Sequence, residues 1–179
     1  YTRTGYSFAG WNTQANGTGT NYTDKANYSI GAGTVILYAK WTAKTYTVTF
    51  DEQGGTTLNP TSKTVTYDST YGDLAATLRS GYTFTGWYTQ MSDGTKIENT
   101  TTVSTETDHT LYARWTANNS TAYSVEYYLQ DTNGSTYTLQ ETIAKTGTTA
   151  TTGTSEAKTY TGFTENTTTS ERLPEGTIL

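Results

Sequence analysis

The chain has 179 residues, a net charge of −5, no cysteine, and 32% apolar residues, with 16 Tyr and 4 Trp in an aromatic content of 13%. The acidity and the lack of any basic tract exclude nucleic-acid binding and attraction to anionic membranes, both of which need clustered positive charge. No apolar run approaches the ~18 residues of a membrane-spanning helix, and without cysteine there are neither disulfides nor thiolate metal sites, although this fixes no compartment.

Thr makes up about a quarter of the chain, far above ordinary usage. Thr, Tyr and Val favour pleated, half-buried surfaces, and Thr is poor in helix interiors. The expected fold is therefore mainly β, α+β at most.

Taken in order, the first stretch with a pattern is Gly5-Tyr6-Ser7-Phe8-Ala9-Gly10-Trp11-Asn12-Thr13. Alternation predicts a strand with Tyr6 and Phe8 on one face and Ser7, Ala9 and Trp11 on the other. Gln14 to Gly19 is a turn-rich loop with Asn16-Gly17 as its strongest signal. Val35-Ile36-Leu37-Tyr38-Ala39-Lys40-Trp41 reads as the next strand, and 42–45 as a short linker.

Tyr46, Val48 and Phe50 alternate with Thr47, Thr49 and Asp51, the mark of a half-buried strand. Gly54-Gly55 turns the chain, and Lys63 to Tyr67 is a second alternating strand, giving a hairpin whose long loop holds Pro60. Tyr71 to Leu78 is the only plausible helical turn. Then Gly81-Tyr82-Thr83-Phe84-Thr85-Gly86-Trp87-Tyr88-Thr89 repeats the Gly5 to Thr13 stretch almost letter for letter. Ser92 to Thr95 is a turn, and Asn99 to Thr107 a polar connection with room for a helical turn. Thr110-Leu111-Tyr112-Ala113-Arg114-Trp115 echoes the strand that ends at Trp41, and both are followed by Thr-Ala, so 116–122 mirrors the first linker.

Tyr123-Ser124-Val125-Glu126-Tyr127-Tyr128 echoes the Tyr46 to Phe50 strand. Asp131 to Ser135 reads as a hairpin turn, Tyr137 to Thr146 as its partner strand, and Lys158 to Phe163 as a weak echo of the Gly-Tyr-x-Phe strand. A repeat of roughly 70 residues is one small folded unit, near the lower size limit for a disulfide-free core. The chain therefore reads as a partial first repeat at 1–41, a complete one at 45–115 and a partial variant at 123–179, with both ends falling inside repeats. The expected repeat core is Trp11, Trp41, Tyr46, Val48, Phe50, Tyr82, Phe84, Trp87, Leu111, Trp115, Tyr123 and Val125.

Few residues invite chemistry. The four Trp residues could form a platform for glycans, but packing is the preferred reading because large aromatics dominate small cores. His109 is the only histidine. With no nucleophile elbow in the chain it is read as a loop residue beside the last strand, and one His without Cys holds no zinc. Asp131-x-Asn133-Gly134 resembles the start of a calcium loop, but the twelfth position is Thr142 rather than Glu, so an Asx-type turn is the better reading. Lys44, Lys63 and Lys96 are candidates for an isopeptide crosslink, but no spacing marks a Lys–Asn–acid trio. No catalytic residue, metal ligand or cofactor-binding residue is assigned.

The Tyr46-Thr-Val-Thr-Phe50 opening, Gly54-Gly55, the Gly81 to Tyr88 stretch and Leu111-Tyr-Ala-Arg-Trp115 together resemble the Listeria–Bacteroides repeat, also known as the internalin B-type B repeat. The last unit is similar to variant repeats found beside it, and more distantly to mucin-binding-protein repeats. The resemblance implies tandem, small β-grasp-like domains, here with the first and last truncated, on secreted or cell-wall-anchored bacterial proteins. It implies no enzyme activity and no cofactor. The expected role is a stalk or spacer, roughly 90 Å long for three compact units of ~30 Å, with neighbouring repeats as its partners. The alternative is an adhesive module for host glycoprotein, mucin or another glycan, and the acidity disfavours sulphated ones. Neither nucleic acid nor direct membrane insertion is expected.

Overall fold

The computed structural model describes residues 1–29, 31–132, 134–153 and 155–162. Among these, every regular element is a β-strand. Contacts group the chain into two compact units. One comprises Tyr1–Glu52, Thr57–Ala76 and Gly86–Ala113; the other comprises Gln53–Thr56, Thr77–Thr85 and the chain from Arg114 onward.

The first copy of the repeat folds as three strands, β1 (Tyr6–Asn12), β2 (Asn21–Tyr22) and β3 (Tyr38–Ala43), in the order β2-β1-β3, all antiparallel. The simple alternation expected for β1 fails at one point. Phe8 faces Trp41, but the next paired residue, Gly10, faces Lys40, so Ala9 is an extra, bulged residue. Gly10 has φ +112, and a Cβ there would lie 2.4 Å from the Tyr22 carbonyl oxygen, so only glycine fits the bulge. The bulge turns Trp11 onto the face of Phe8, and their rings pack edge-on at 5.1 Å. Residues 35–37, expected to open the next strand, precede β3, which starts at Tyr38.

The complete copy builds a five-stranded sheet from β4 (Thr45–Asp51), β6 (Ser62–Thr66), β8 (Tyr82–Tyr88), β9 (Lys96–Ile97) and β10 (His109–Ala117), in the order β6-β4-β10-β8-β9. β4 and β6 form an antiparallel hairpin, and β8 and β9 pair antiparallel, while β4 and β10, the first and last strands of the copy, run parallel at the centre. That is the β-grasp-like plan of two hairpins around a parallel first-and-last pair. Short β5 (Thr56–Asn59) and β7 (Ala76–Leu78) form a separate two-stranded sheet, and a cis peptide bond precedes Pro60.

No helical turn forms at 71–78. The chain leading into it is tied to the polar connection opposite by backbone bonds: Asp68 N to Val103 O at 3.0 Å, Val103 N to Ser69 O at 2.8 Å, Tyr71 N to Thr101 O at 2.9 Å and Gly72 N to Asn99 O at 2.8 Å. A helical turn starting at Tyr71 would need the carbonyls of Tyr71 and Asp73 as acceptors, and both are taken by Lys63, while residues 76–78 are drawn into β7. In the polar connection at 99–107 no helix forms; Thr101 N donates to Glu98 O at 3.0 Å and closes a single turn. Lys63 Nζ closes the segment by donating to the carbonyls of Tyr71 and Asp73, each at 2.6 Å.

The core of this unit gathers Val48, Phe50, Val65, Tyr71, Ala75, Trp87, Ile97, Val103, Leu111 and Ala113, all buried. Trp87 is 1% exposed; its ring lies 4.8 Å from that of Phe50. Of the expected core residues, Val48, Phe50, Trp87 and Leu111 are buried. Trp11, Trp41, Tyr46, Tyr82, Phe84, Trp115, Tyr123 and Val125 are half-buried. Val103, the one apolar residue in a run of threonines and acids, is fully buried.

The variant segment is a long antiparallel hairpin of β11 (Thr121–Gln130) and β12 (Tyr137–Gly147), paired from Thr121–Gly147 to Gln130–Tyr137. Its turn is closed by Asp131 N to Thr136 O and Gly134 N to Asp131 O, both at 2.8 Å. Residues 155–160 lie along the hairpin without forming a strand. The Tyr127 hydroxyl donates to Glu156 O at 2.8 Å and accepts from Glu156 N at 3.2 Å, and Lys145 pairs with the Glu156 carboxylate at 3.0 Å. The weak echo expected at 158–163 therefore carries no strand through Tyr160, and Phe163 lies outside the described residues.

Candidate functional site

The feature that recurs in both units is the joint between successive copies. It starts with a turn. In the first copy Tyr6 N donates to Arg3 O at 3.0 Å, and the Arg3 guanidinium lies 3.7 Å from the centre of the Tyr6 ring. In the second copy Tyr82 N donates to Arg79 O at 3.1 Å, and the Arg79 guanidinium lies 3.9 Å above the Tyr82 ring. Gly5 and Gly81 occupy the same place in each turn with φ of +73° and +77°. The cation–π contact adds about 0.5–1 kcal/mol at such a site.

The turn presents one glycine carbonyl to the linker. Lys44 N donates to Gly5 O at 2.9 Å, and Lys44 O accepts from Tyr67 N at 3.0 Å. Lys44 is the single residue between β3 and β4, and Tyr67 follows β6 of the next copy. In the other unit Asn118 N donates to Gly81 O and Asn118 O accepts from Thr149 N, each at 2.9 Å. Asn118 follows β10, and Thr149 follows β12. One linker residue thus bridges its own copy's glycine turn and the end of the strand that pairs antiparallel with the next copy's first strand, and both joints are wired alike.

Side chains fill each joint differently. A Cβ on Gly5 would fall 2.2 Å from the Tyr67 ring, and one on Gly81 would fall 2.6 Å from Thr149 Oγ1. At the first joint the Tyr6 hydroxyl donates to Asp68 Oδ2 at 2.7 Å, and that bond to the carboxylate holds the Tyr6 phenol above its usual pKa. At the second, Thr83 Oγ1 donates to Asn118 Oδ1 at 2.7 Å, and the buried Thr149 shares a 2.6 Å hydroxyl contact with Thr121. The sequence pattern shows Gly5 and Gly81, Lys44 and Asn118, but the clasp itself escapes it because backbone bonds leave no residue signature. Arg3 and Arg79 were within reach, since each stands two residues before its glycine.

The remaining candidates carry no chemistry of this kind. His109 is not in a loop: it opens β10, and the Tyr71 hydroxyl lies 2.8 Å from its Nε2. Its Nδ1 faces the Thr107 carbonyl at 2.9 Å, so Nδ1 carries the proton and Tyr71 donates to Nε2. The hydroxyls of Thr136 and Thr138 donate to the Asp131 carboxylate at 2.6 and 2.9 Å, which holds its pKa below the usual value. No group of three or more metal-ligating side chains occurs among the described residues. Lys96 pairs with Glu98 at 2.8 Å, and Lys63 is held by carbonyls.

Trp87 donates from Nε1 to the Ala75 carbonyl at 2.8 Å and has no face open to a sugar. Phe8 packs against Trp41 at 5.5 Å and Phe84 against Trp115 at 5.3 Å, the same pair in both copies.

The chain is 39% identical to Internalin H of Listeria monocytogenes over 117 residues, 65% of this chain and 20% of that protein. It is 36% identical over 155 residues to a protein of Evansella cellulosilytica described as a Gly-rich membrane protein, covering 82% of this chain and 17% of the relative. The chain thus spans about a fifth of the length of the curated relatives it matches. No solved structure matches it significantly. Residues 1–40 and 46–114 both match the Listeria-Bacteroides repeat domain, the two matches break at the Lys44 joint, and the chain belongs to that family.

Proposed function

We propose that this chain is a non-catalytic spacer in a bacterial surface or secreted protein, a run of repeats at the cell surface or cell wall that holds a binding domain at a distance. The observation that carries the reading is the repeated joint: a short linker, one residue at the first joint and three at the second, with one of its residues bonded on both sides, leaves a copy little freedom to pivot on its neighbour. Relatives named as an internalin and as membrane proteins support a surface location. Among the described residues no helix is long and apolar enough to cross a membrane. The partners in this reading are the neighbouring repeats.

The test is to insert additional copies of residues 45–115 and measure the maximum dimension by small-angle scattering. A spacer gains about 30 Å per copy, the diameter of a unit of this size. A chain that gains mass without gaining length is not a spacer.

A second reading, an adhesive module for host glycoprotein, mucin or glycan, draws on Tyr137 and Leu139 of β12, which are 62% and 45% exposed. Binding on a glycan array that is lost in a Tyr137→Ser, Leu139→Ser double variant would favour it.

A further inference from the structure

A spacer on a cell surface carries tension whenever its tip is held, and the second copy places two particular strands in the path of that load. β4 follows directly from Lys44, and β10 runs directly to Asn118. Chain tension therefore enters the copy at the start of β4 and leaves at the end of β10. The two strands lie side by side and parallel, paired at Val48–His109, Thr49–Thr110, Phe50–Leu111 and Asp51–Tyr112.

In a parallel pair pulled this way, one strand is drawn toward its N-terminus and the other toward its C-terminus. The load runs along the strands, so the interstrand bonds share it and must fail together. Pulled from the same end, the bonds meet the load one at a time. Two features reinforce the pair. The Asp108 carboxylate accepts from Thr47 N at 2.7 Å, adding a contact before the first rung. Val48, Phe50, Leu111 and Ala113 are buried, so sliding the strands drags apolar side chains out of their packing.

The variant segment has the opposite geometry. Thr121 and Gly147 face each other at the open end of the β11–β12 hairpin, so tension between them peels the ladder rung by rung from that end. The contacts guarding that end are the Asn118–Thr149 backbone bond and the Thr121–Thr149 hydroxyl contact. Farther along the ladder the chain after Gly147 is held to the hairpin through Tyr127–Glu156, Lys145–Glu156 and Lys158–Glu141, which are exposed or part-exposed polar contacts rather than buried packing.

We propose that the β4–β10 pair is a tension-bearing clamp and that the β11–β12 hairpin is an extensible element that yields first. The proposal rests on the spacer reading for its biological sense, but its test does not. The chain has no cysteine, so paired cysteines give unique handles. Thr45 and Thr116 are exposed at the start of β4 and near the end of β10, and Thr107 is exposed just before β10.

The full chain is made as a Thr45→Cys, Thr116→Cys variant and as a Thr45→Cys, Thr107→Cys variant, and each is pulled in optical tweezers at one loading rate. Equal melting temperatures show that both fold as the parent does. The first pair loads β4 against β10 in shear and the second peels them apart, so the rupture force is expected to be several-fold higher for the first. A third variant with cysteines at Ala122 and Thr146 should open at forces near the peeling value. Equal forces in the shear and peeling geometries, or a hairpin that outlasts the β4–β10 pair, would overturn the clamp. Either result leaves the scattering test of the spacer standing on its own.

Discussion

Trp87 Nε1 donates a 2.8 Å hydrogen bond to the carbonyl oxygen of Ala75, which anchors the largest buried side chain of the second copy to the segment preceding β7. The bond satisfies the indole inside a site that is otherwise apolar, where an unpaired donor is costly. It also ties the β8 strand to a stretch that has no regular structure of its own.

Trp87→Ala removes both the bond and the ring against Phe50, and should destabilise the copy by about 3–5 kcal/mol. Trp11→Ala, at the matching but half-buried position of the first copy, should cost less. Trp87→Phe keeps an aromatic ring but leaves the Ala75 carbonyl without its donor, at about 1–3 kcal/mol. Denaturant unfolding followed by circular dichroism ranks the three. An unchanged midpoint for Trp87→Ala would show that packing is not this residue's role.

At the joints, Gly5→Ala and Gly81→Ala meet two obstacles: a backbone φ above +70° and a neighbour within 2.6 Å. Gly17→Ala isolates the first, because Gly17 has φ +76° with nothing within 4 Å. That control should cost about 1 kcal/mol, and the joint variants distinctly more, with loss of the cross-joint bonds seen by NMR. Equal costs at all three positions would mean that the joints are not closely packed.

Tyr71 is 4% exposed, and its hydroxyl donates to His109. Tyr71→Phe keeps the ring and should lose roughly 0.5–1.5 kcal/mol for the hydrogen bond alone. His109→Ala should cost a similar amount or more, since the buried hydroxyl is then left with its contact to Thr105 alone. In a double-mutant cycle the two effects should not add; full additivity would contradict the pairing.

The hairpin turn at Asp131 should respond to acid. Its carboxyl is held below the usual value by the hydroxyls of Thr136 and Thr138. Because the folded pKa is lowered, the stabilisation is fully present above the unfolded value and is lost as pH falls through the folded one. NMR shifts of Gly134 and Thr136 should stay constant at neutral pH and move only below the ordinary carboxylate range. Asp131→Asn should abolish that step; a change near neutrality would contradict the assignment.

Much of this fold was legible where side chains alternate or letters recur. β4, β8 and β10 to β12 follow from the Tyr-x-Val-x-Phe alternation, from the Gly-Tyr-x-Phe-x-Gly-Trp repeat and from the Asp131 to Ser135 turn. The bulge at Ala9–Gly10 was not, since counting alternate residues cannot detect an inserted one, although a glycine before both Trp11 and Trp87 was a signal. The expected helical turn near Ala75 failed because a short apolar run is indifferent between states until its backbone finds partners; the carbonyls of Tyr71 and Asp73 found Lys63, and residues 76–78 joined β7. Val103 carries no signal in the sequence, because its burial comes from a pairing across the chain with Asp68 and Ser69. The joints were the least legible part of the candidate site. Their placement showed in Lys44 and Asn118, but their bonds run through backbone atoms.

The most direct measurement is amide hydrogen exchange at four positions, Lys44, Tyr67, Asn118 and Thr149, whose N–H groups make the two clasps. A chain whose copies are fixed to one another predicts slow exchange there, comparable with Val48 and Leu111 in the sheet. Exchange at the rate of an open loop, with the sheet still protected, would show copies that swing freely and would contradict the account.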